Sequence, residues 1–330
     1  MSVADGVHLL SIPTPFAVGR INCFLIDDDP LTLVDTGPNS GLALDELERA
    51  LGAHGRRIED LQRIVITHQH MDHEGLLGVL QRRSQAEVAA LDLLAPVLSD
   101  FGAWSERDDE LAEALMLAHG IAREVVIALR SVSRLARAWG AAGEVTHRLA
   151  DGGTLEFAGR TLHVHHRPGH SPTDTVFHDR ERGVLLGGDH LLGHISSNPL
   201  LHLPVGGKSG SPDDGRPRAL RHYLDSMADT GAMEDVSVVL PGHGEPITDH
   251  RKLVEDRLRM HERRAAKILR LLDGRALSAH EVAHELWGKV AVTQAFLALS
   301  EALGHLDLLS ERGEVVEERS EGGVVRFAPA

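Results

Sequence analysis

Thr67-His68-Gln69-His70-Met71-Asp72-His73-Glu74-Gly75 sets three imidazoles and a carboxylate between positions 68 and 73, directly behind the run Arg63-Ile64-Val65-Ile66. The run is apolar and β-branched on both faces, which predicts a strand buried on both sides of a sheet and brings His68 to its end. On extended or loop backbone, positions i and i+2 project to the same side. His68 and His70 can therefore share one ion while the next turn aims Asp72 and His73 at a second. Imidazole nitrogen with carboxylate oxygen and no thiolate suits zinc first, with manganese or iron as alternatives.

Four more motifs lie outward from this stretch: Leu33-Val34-Asp35-Thr36-Gly37, Pro168-Gly169-His170-Ser171, Gly187-Gly188-Asp189-His190 and Pro241-Gly242-His243-Gly244. With these in order around His-x-His-x-Asp-His, the chain resembles the metallo-β-lactamase-fold hydrolases over about residues 5 to 250, among them the glyoxalase II and β-lactamase-like protein 2 groups. The resemblance implies an α/β fold, a four-layer αββα sandwich. It also implies two divalent metal ions: His68, His70 and His170 on one, Asp72, His73 and His243 on the other, and Asp189 between them. A lone Asp before Thr-Gly is ordinarily a turn or cap residue. Beside the other motifs, Asp35 is expected to orient a ligating histidine by hydrogen bonding its other ring nitrogen.

The chain of 330 residues is long enough for more than one domain. Residues 1–250 are expected to form the catalytic domain, with a helical lid inserted at about 100–147, and 251–330 a C-terminal module. Met1 to Val7 lacks a basic segment followed by an apolar one, and no long apolar run occurs, so a cytoplasmic protein without a membrane partner is expected. Cys23 is the single cysteine, which excludes an intrachain disulfide and a thiolate cage and predicts a buried small side chain. A formal net charge of -15 disfavours a generally basic nucleic-acid surface and favours neutral or cationic small substrates.

Val7-Ile12 and Cys23-Ile26 read as antiparallel strands, and the loop between them brings Phe16 forward as a weak candidate for substrate contact. A helical segment from about Glu106 to Trp139, broken at Gly120, carries the stripe Leu111, Leu115, Ile121, Val125, Leu129, Val132 and Leu135. That stripe reads as packing, and its place between the motifs suggests a lid. His163, His165 and His166 on the strand before His170 are set aside as ligands, because only His170 sits in a Pro-Gly-His turn. His190 and His194 read as capping or surface residues, with His194 a weak candidate for substrate contact. Tyr223 reads as packing and is the last weak candidate. Asn198 to Pro217 is a long Gly/Pro/Ser/Asp-rich loop.

From Arg251 to Leu272 the pattern is a basic amphipathic helix, with Arg263, Arg264 and Lys267 on its solvated face. Ser278-Ala279-His280-Glu281 caps a second helix, and a third runs from about Thr293 to Leu309 before two short strands. Three helices and a small hairpin make a small α+β, winged-helix-like module. The run Ala302 to Leu309 with Gly313 resembles the C-terminal module of hydrolases related to β-lactamase-like protein 2, some of which are endoribonucleases.

Two ions would lower the pKa of a shared, bridging water to give hydroxide and polarise the group under attack, with Asp72 orienting that water or shuttling its proton. The leading expectation is a hydrolase whose partner is a small molecule, an ester, thioester or lactone, with a homodimer as one assembly open to it. An RNA partner and endoribonuclease activity form the disfavoured alternative. β-Lactamase, persulfide dioxygenase and ligand-sensing DNA-binding regulator rank lower. For the regulator, the recognition-helix candidate Val292 to His305 lacks arginine and lysine.

Overall fold

Side-chain alternation decides which face of each strand meets which layer. The computed structural model describes residues 2–206, 216–289 and 294–330. Strands β1 (Ser2–Ala4), β2 (Val7–Ile12), β3 (Ile21–Ile26), β4 (Thr32–Val34), β5 (Arg63–Ile66), β6 (Glu87–Leu91) and β7 (His147–Leu149) form one sheet in that order. It is antiparallel up to β4 and parallel from β4 onward. Strands β8 (Thr154–Glu156), β9 (Thr161–His166), β10 (Thr175–Asp179), β11 (Val184–Gly188) and β12 (Val238–Pro241) form the second, antiparallel except where β12 joins β11.

Cys23, Leu25, Ile64 and Ile66 face outward into a core shared with α1 (Gly41–Gly52), α3 (Leu77–Ser84) and α4 (Ala95–Ser99), to which Leu47, Leu80 and Leu98 contribute, and the short α2 (Met71–Glu74) lies between β5 and α3 in the chain. Their neighbours Phe24, Ile26 and Val65 face inward and meet Leu162, Val164, Phe177 and Leu240 of the second sheet. Two helices of the expected lid follow, α5 (Phe101–Ala118) and α6 (Arg123–Ala136). On the far side, Val176, Leu185 and Val239 are covered by Leu220, Tyr223 and Met227 of α7 (Ala219–Gly231) and Val254 of α8 (His250–Leu272). The result is the four-layer αββα sandwich. Cys23 is buried within it.

After α8 come α9 (Ala279–Trp287), α10 (Ala295–Glu311) and the hairpin β13 (Val315–Arg319) and β14 (Val325–Pro329). Ser278 and Glu281 cap α9 reciprocally, at 3.2 and 2.7 Å. Every residue from Ala298 to Leu309 is buried, so the expected recognition helix is a core helix and cannot enter a nucleic-acid groove. Its first expected residues, Val292 and Thr293, lie outside the described residues, as do 207–215 of the long loop.

The core around α10 also takes in Leu115 and Met116 of α5, Ile121 of the link after it and Val126 of α6. The insertion thus packs on the C-terminal module. Only the first part of the predicted stripe is packing, since Val132 is 63% and Leu135 77% exposed. There α6 has run past the module, and ion pairs from Arg130 to Glu106 and Glu113, and from Arg137 to Glu106 and Asp109, hold it to α5 instead.

His261 of α8 and His305 of α10 stack and lie 3.2 Å apart, Nδ1 to Nε2, beside Glu301. His305 donates its Nδ1–H to the Glu301 carbonyl at 2.7 Å, so its Nε2 accepts from His261. Arg264 pairs with the Glu301 carboxylate and stacks over Trp287, which corrects its placement on the solvated face. Burial, then the neighbouring His305 and Arg264, pushes His261 down to about 3. With the carboxylate neutralised and the imidazoles uncharged and hydrogen bonded, this cluster staples α8 to α10.

No helix among the described residues is long and apolar enough to cross a membrane. The shared core predicts that Phe327→Ala, at a site with no exposure, costs about 3–5 kcal/mol. Leu135→Ser should change stability by less than about 0.5 kcal/mol. Chemical denaturation of the two variants measures both.

Candidate metal centre

The ends of β4, β5, β11 and β12 reach one edge of the sandwich, where they deliver Asp35, His68, Asp189 and His243. The two sheets are stitched together there. Asn22 N–H donates to the Gly242 carbonyl at 2.7 Å, its side-chain amide donates to the carbonyls of Pro241 and Gly244 at 3.0 and 2.7 Å, and Thr175 N–H donates to the Thr67 carbonyl at 3.1 Å. Gly242 has to be glycine, since a Cβ there would collide with Asp189 Oδ1 and His73 Cε1.

His68 Nε2 and His170 Nε2 each lie 3.0 Å from His70 Nδ1. On the other side, His243 Nε2 is 3.2 Å from Asp72 Oδ2, with His73 in the same group. Asp189 lies between the groups, its Oδ2 3.7 Å from His170 Nε2 and 3.5 Å from His243 Nε2, and its Oδ1 3.4 Å from His73 Nε2. The structure therefore brings together all seven residues singled out as ligands.

Hydrogen bonds at the far side of each ring say which nitrogen is free. His170 donates Nδ1–H to the Asn198 carbonyl at 3.0 Å and His243 donates Nδ1–H to the Arg20 carbonyl at 2.8 Å. His73 donates Nδ1–H to Asp35 Oδ2 at 2.8 Å. Thr67 Oγ1 gives its proton to Asp35 at 2.9 Å and can accept only from His68 Nδ1, 3.0 Å away. The remaining nitrogens of the first group are lone pairs directed at one another, and His73 Nε2, His243 Nε2 and Asp189 Oδ1 are buried with no hydrogen-bond partner. Lone pairs 3.0 Å apart repel unless a cation lies between them, so this donor set fits divalent metal ions.

Asp35 is placed by strain. Its φ of 58° is unusual for a residue with a side chain, and the bend turns its carboxylate onto the Thr67 N–H at 2.9 Å as well as onto Thr67 Oγ1 and His73.

Burial and the charge of the neighbouring imidazoles hold His68 and His70 well below the usual histidine range. Burial opposes a charge on His73 too, but the Asp189 and Asp35 carboxylates outweigh it and raise that imidazole well above its ordinary value. Burial likewise opposes ionisation of Asp189, and His73, His243 and His170 pull it down in spite of that.

Tyr223 is 1% exposed and donates its hydroxyl to the His190 carbonyl at 3.1 Å, which makes it packing and removes it from substrate contact. His190 is fully buried, with Nε2 2.9 Å from Thr230 Oγ1, which corrects its surface reading. His194 is exposed against Gly244, and Phe16 is half-buried in the loop that ends at Arg20. His166 Nε2 donates to the Pro172 carbonyl at 2.9 Å.

Five contributors carried no motif of their own. Thr67 meets the His68 ring, the Asn198 carbonyl meets His170, and His202 faces His70 with Asp108 behind it; buried Asp174 holds the Ser171 N–H at 2.8 Å with its other oxygen 4.0 Å from His68 Nδ1. Only Thr67, next to the first histidine, had a local signal.

A family model for the metallo-beta-lactamase superfamily matches residues 17–243, and one for the metallo-beta-lactamase-like C-terminal domain matches residues 265–330. A probable metallo-hydrolase of Bacillus subtilis, YqjP, is 32% identical over 323 residues, 98% of each chain. Among solved structures, a metallo-beta-lactamase family protein of Thermus thermophilus superposes with a TM-score of 0.80 at 29% identity over 100% of both chains. A beta-lactamase domain protein of Burkholderia ambifaria does so with a TM-score of 0.83 at 28% identity, over 100% of this chain and 94% of its own. The chain belongs to the metallo-beta-lactamase superfamily and is a metallo-hydrolase.

Asp35→Asn keeps a residue that tolerates positive φ but loses an acceptor for either Thr67 or His73. Metal affinity should fall roughly 10- to 100-fold with the circular dichroism of the metal-free protein unchanged. Metal must also displace the proton held on His73, so zinc loading at pH 7 should release protons. Calorimetry in two buffers of different ionisation enthalpy reads the number.

Proposed function

We propose that this metallo-hydrolase carries two divalent ions, zinc by preference, and hydrolyses a small carboxylic ester, thioester or lactone. His68, His70 and His170 would hold one ion, Asp72, His73 and His243 the other, with Asp189 offering an oxygen to each. Bound there, the ions supply an activated water and Lewis-acid polarisation of the carbonyl. Asp72, 8% exposed in the second group, would take a proton from the attacking water and return it to the leaving group. No serine or cysteine nucleophile is needed.

The substrate class rests chiefly on three arginines close in sequence or by contact to the ligand loops, Arg20, Arg167 and Arg257, each of them already hydrogen bonded. Arg20 is spent on Ser11, at 3.0 Å to Oγ and 2.6 Å to the carbonyl. Arg167 bonds Thr230 and the His166 carbonyl, and Arg257 holds the carbonyls of Leu192, Gly193 and Ile195. A phosphodiester would need uncommitted cations here; an uncharged carbonyl compound does not. A mostly apolar cavity of about 260 Å³ adjoins the ligand loops at Gly169, Ser171 and His202, with Leu93, Leu200 and Val205 in its wall. It offers room for the apolar part of an ester.

Arg263 and Lys267 remain exposed on α8 and are the charges an RNA would use. The deciding test is a panel of esters, thioesters, lactones and RNA, with a salt titration of RNA binding for the native protein and the Arg263→Gln/Lys267→Gln variant. Ester or lactone turnover with no RNA binding at low salt is expected. RNA cleavage with a salt slope that falls by about 0.7 per lost contact on single strands would overturn the reading. Elemental analysis should give two ions per chain and one for His243→Ala.

A further inference from the structure

His70 is the ligand whose far nitrogen meets another imidazole. Its Nε2 faces His202 Nε2 at 3.2 Å, and His202 Nδ1 faces Asp108 Oδ2 at 2.8 Å. Asp108 belongs to α5, in the insertion, and its other oxygen accepts the Leu203 N–H at 2.6 Å. With His202 uncharged, the chain of protons runs one way. A carboxylate accepts, so His202 donates from Nδ1 and keeps a lone pair on Nε2. His70 must then donate from Nε2, which leaves Nδ1, the atom 3.0 Å from both His68 and His170, free to ligate. His202 sits between His70 and the Trp104 ring, at centroid distances of 5.3 and 5.8 Å.

The same segment serves a second ligand, because the Asn198 carbonyl takes the His170 Nδ1–H. It is held from the opposite side by the C-terminal module: Asn198 Nδ2 donates to the Leu297 carbonyl at 3.1 Å, and Leu201 N–H lies 3.4 Å from Ser300 Oγ, both on α10.

We propose that residues 198–203 form a strap, clamped between α10 and Asp108, that fixes the tautomer and orientation of His70 and His170, with Asp108 and His202 as positioning residues for the first metal group. The inference rests on that group being a metal seat. It gives the insertion and the C-terminal module a common task, which is to hold the strap.

The test uses the full chain in a His243→Ala background, so that a single ion reports the first group. Zinc affinity is read by competition with a chromophoric chelator, and ligand geometry by the visible absorption of the cobalt(II) form. His202→Phe keeps a ring but cannot accept a proton, and Asp108→Leu frees His202 to turn. Each should weaken zinc roughly 10- to 100-fold and alter the cobalt spectrum. The metal-free melting point should move little, and His202→Gln, whose amide oxygen can accept from His70, should recover most of the affinity.

Unchanged affinity in both His202→Phe and Asp108→Leu overturns the relay, as does His202→Gln binding no better than His202→Phe. Should either variant fail to fold, the comparison of His202→Gln with the parent still decides, by its cobalt spectrum and affinity. Failure of the parent His243→Ala chain itself to bind zinc would sink the metal seat, and that outcome is separate from failure of the relay.

Discussion

Everything at the site edge depends on one electrostatic constraint: nitrogen lone pairs 3.0 Å apart in a buried site must share a cation. An isolated cluster of imidazoles would relieve the repulsion by rotating rings or taking up protons. Here burial penalises protons on His68 and His70, and a hydrogen bond on the far nitrogen stops each ring from turning. The site is arranged in advance for a charge, and the good places for a proton are His73, between Asp35 and Asp189, and His243, beside Asp189 and Asp72.

The sandwich meets this constraint because its parallel strands end together. Tight turns after β4, β5, β11 and β12 project side chains over the same edge, and the Asn22 and Thr175 bonds keep the two sheets from sliding past each other. Hydrophobic alternation drives the layers together, but it would tolerate small shifts of one sheet against the other. The cross-sheet hydrogen bonds do not, since each would leave a buried polar group unpaired.

What could be read in the sequence was whatever is local. His-x-His-x-Asp-His, the Pro-Gly-His turns and the Gly-Gly-Asp strand end carry ligands within a few residues of their backbone determinants, and strand alternation revealed the layers. Contacts made across the fold were not legible. Asp108 lies in an amphipathic helix and His202 in a Gly/Pro-rich loop, and nothing about either distinguishes it from a surface residue until the chain has folded. The α6 stripe misled for a related reason. Periodicity shows that a face is apolar without showing how far the partner surface extends, and the C-terminal module stops short of Val132 and Leu135.

The C-terminal module is better understood from its buried face than from its outline. Three helices and a hairpin suggest a reader of nucleic acid, yet the helix that would do the reading is the one most deeply buried. Arg264 is turned inward to Glu301, and Arg257 to the loop behind Asp189. Toward the segment that carries Asn198 and His202, α10 presents a carbonyl and a hydroxyl, those of Leu297 and Ser300. A module whose polar groups point at the supports of metal ligands acts on the site by fixing geometry. This also accounts for the shared core with α5, because a strap held from one side only could still swing.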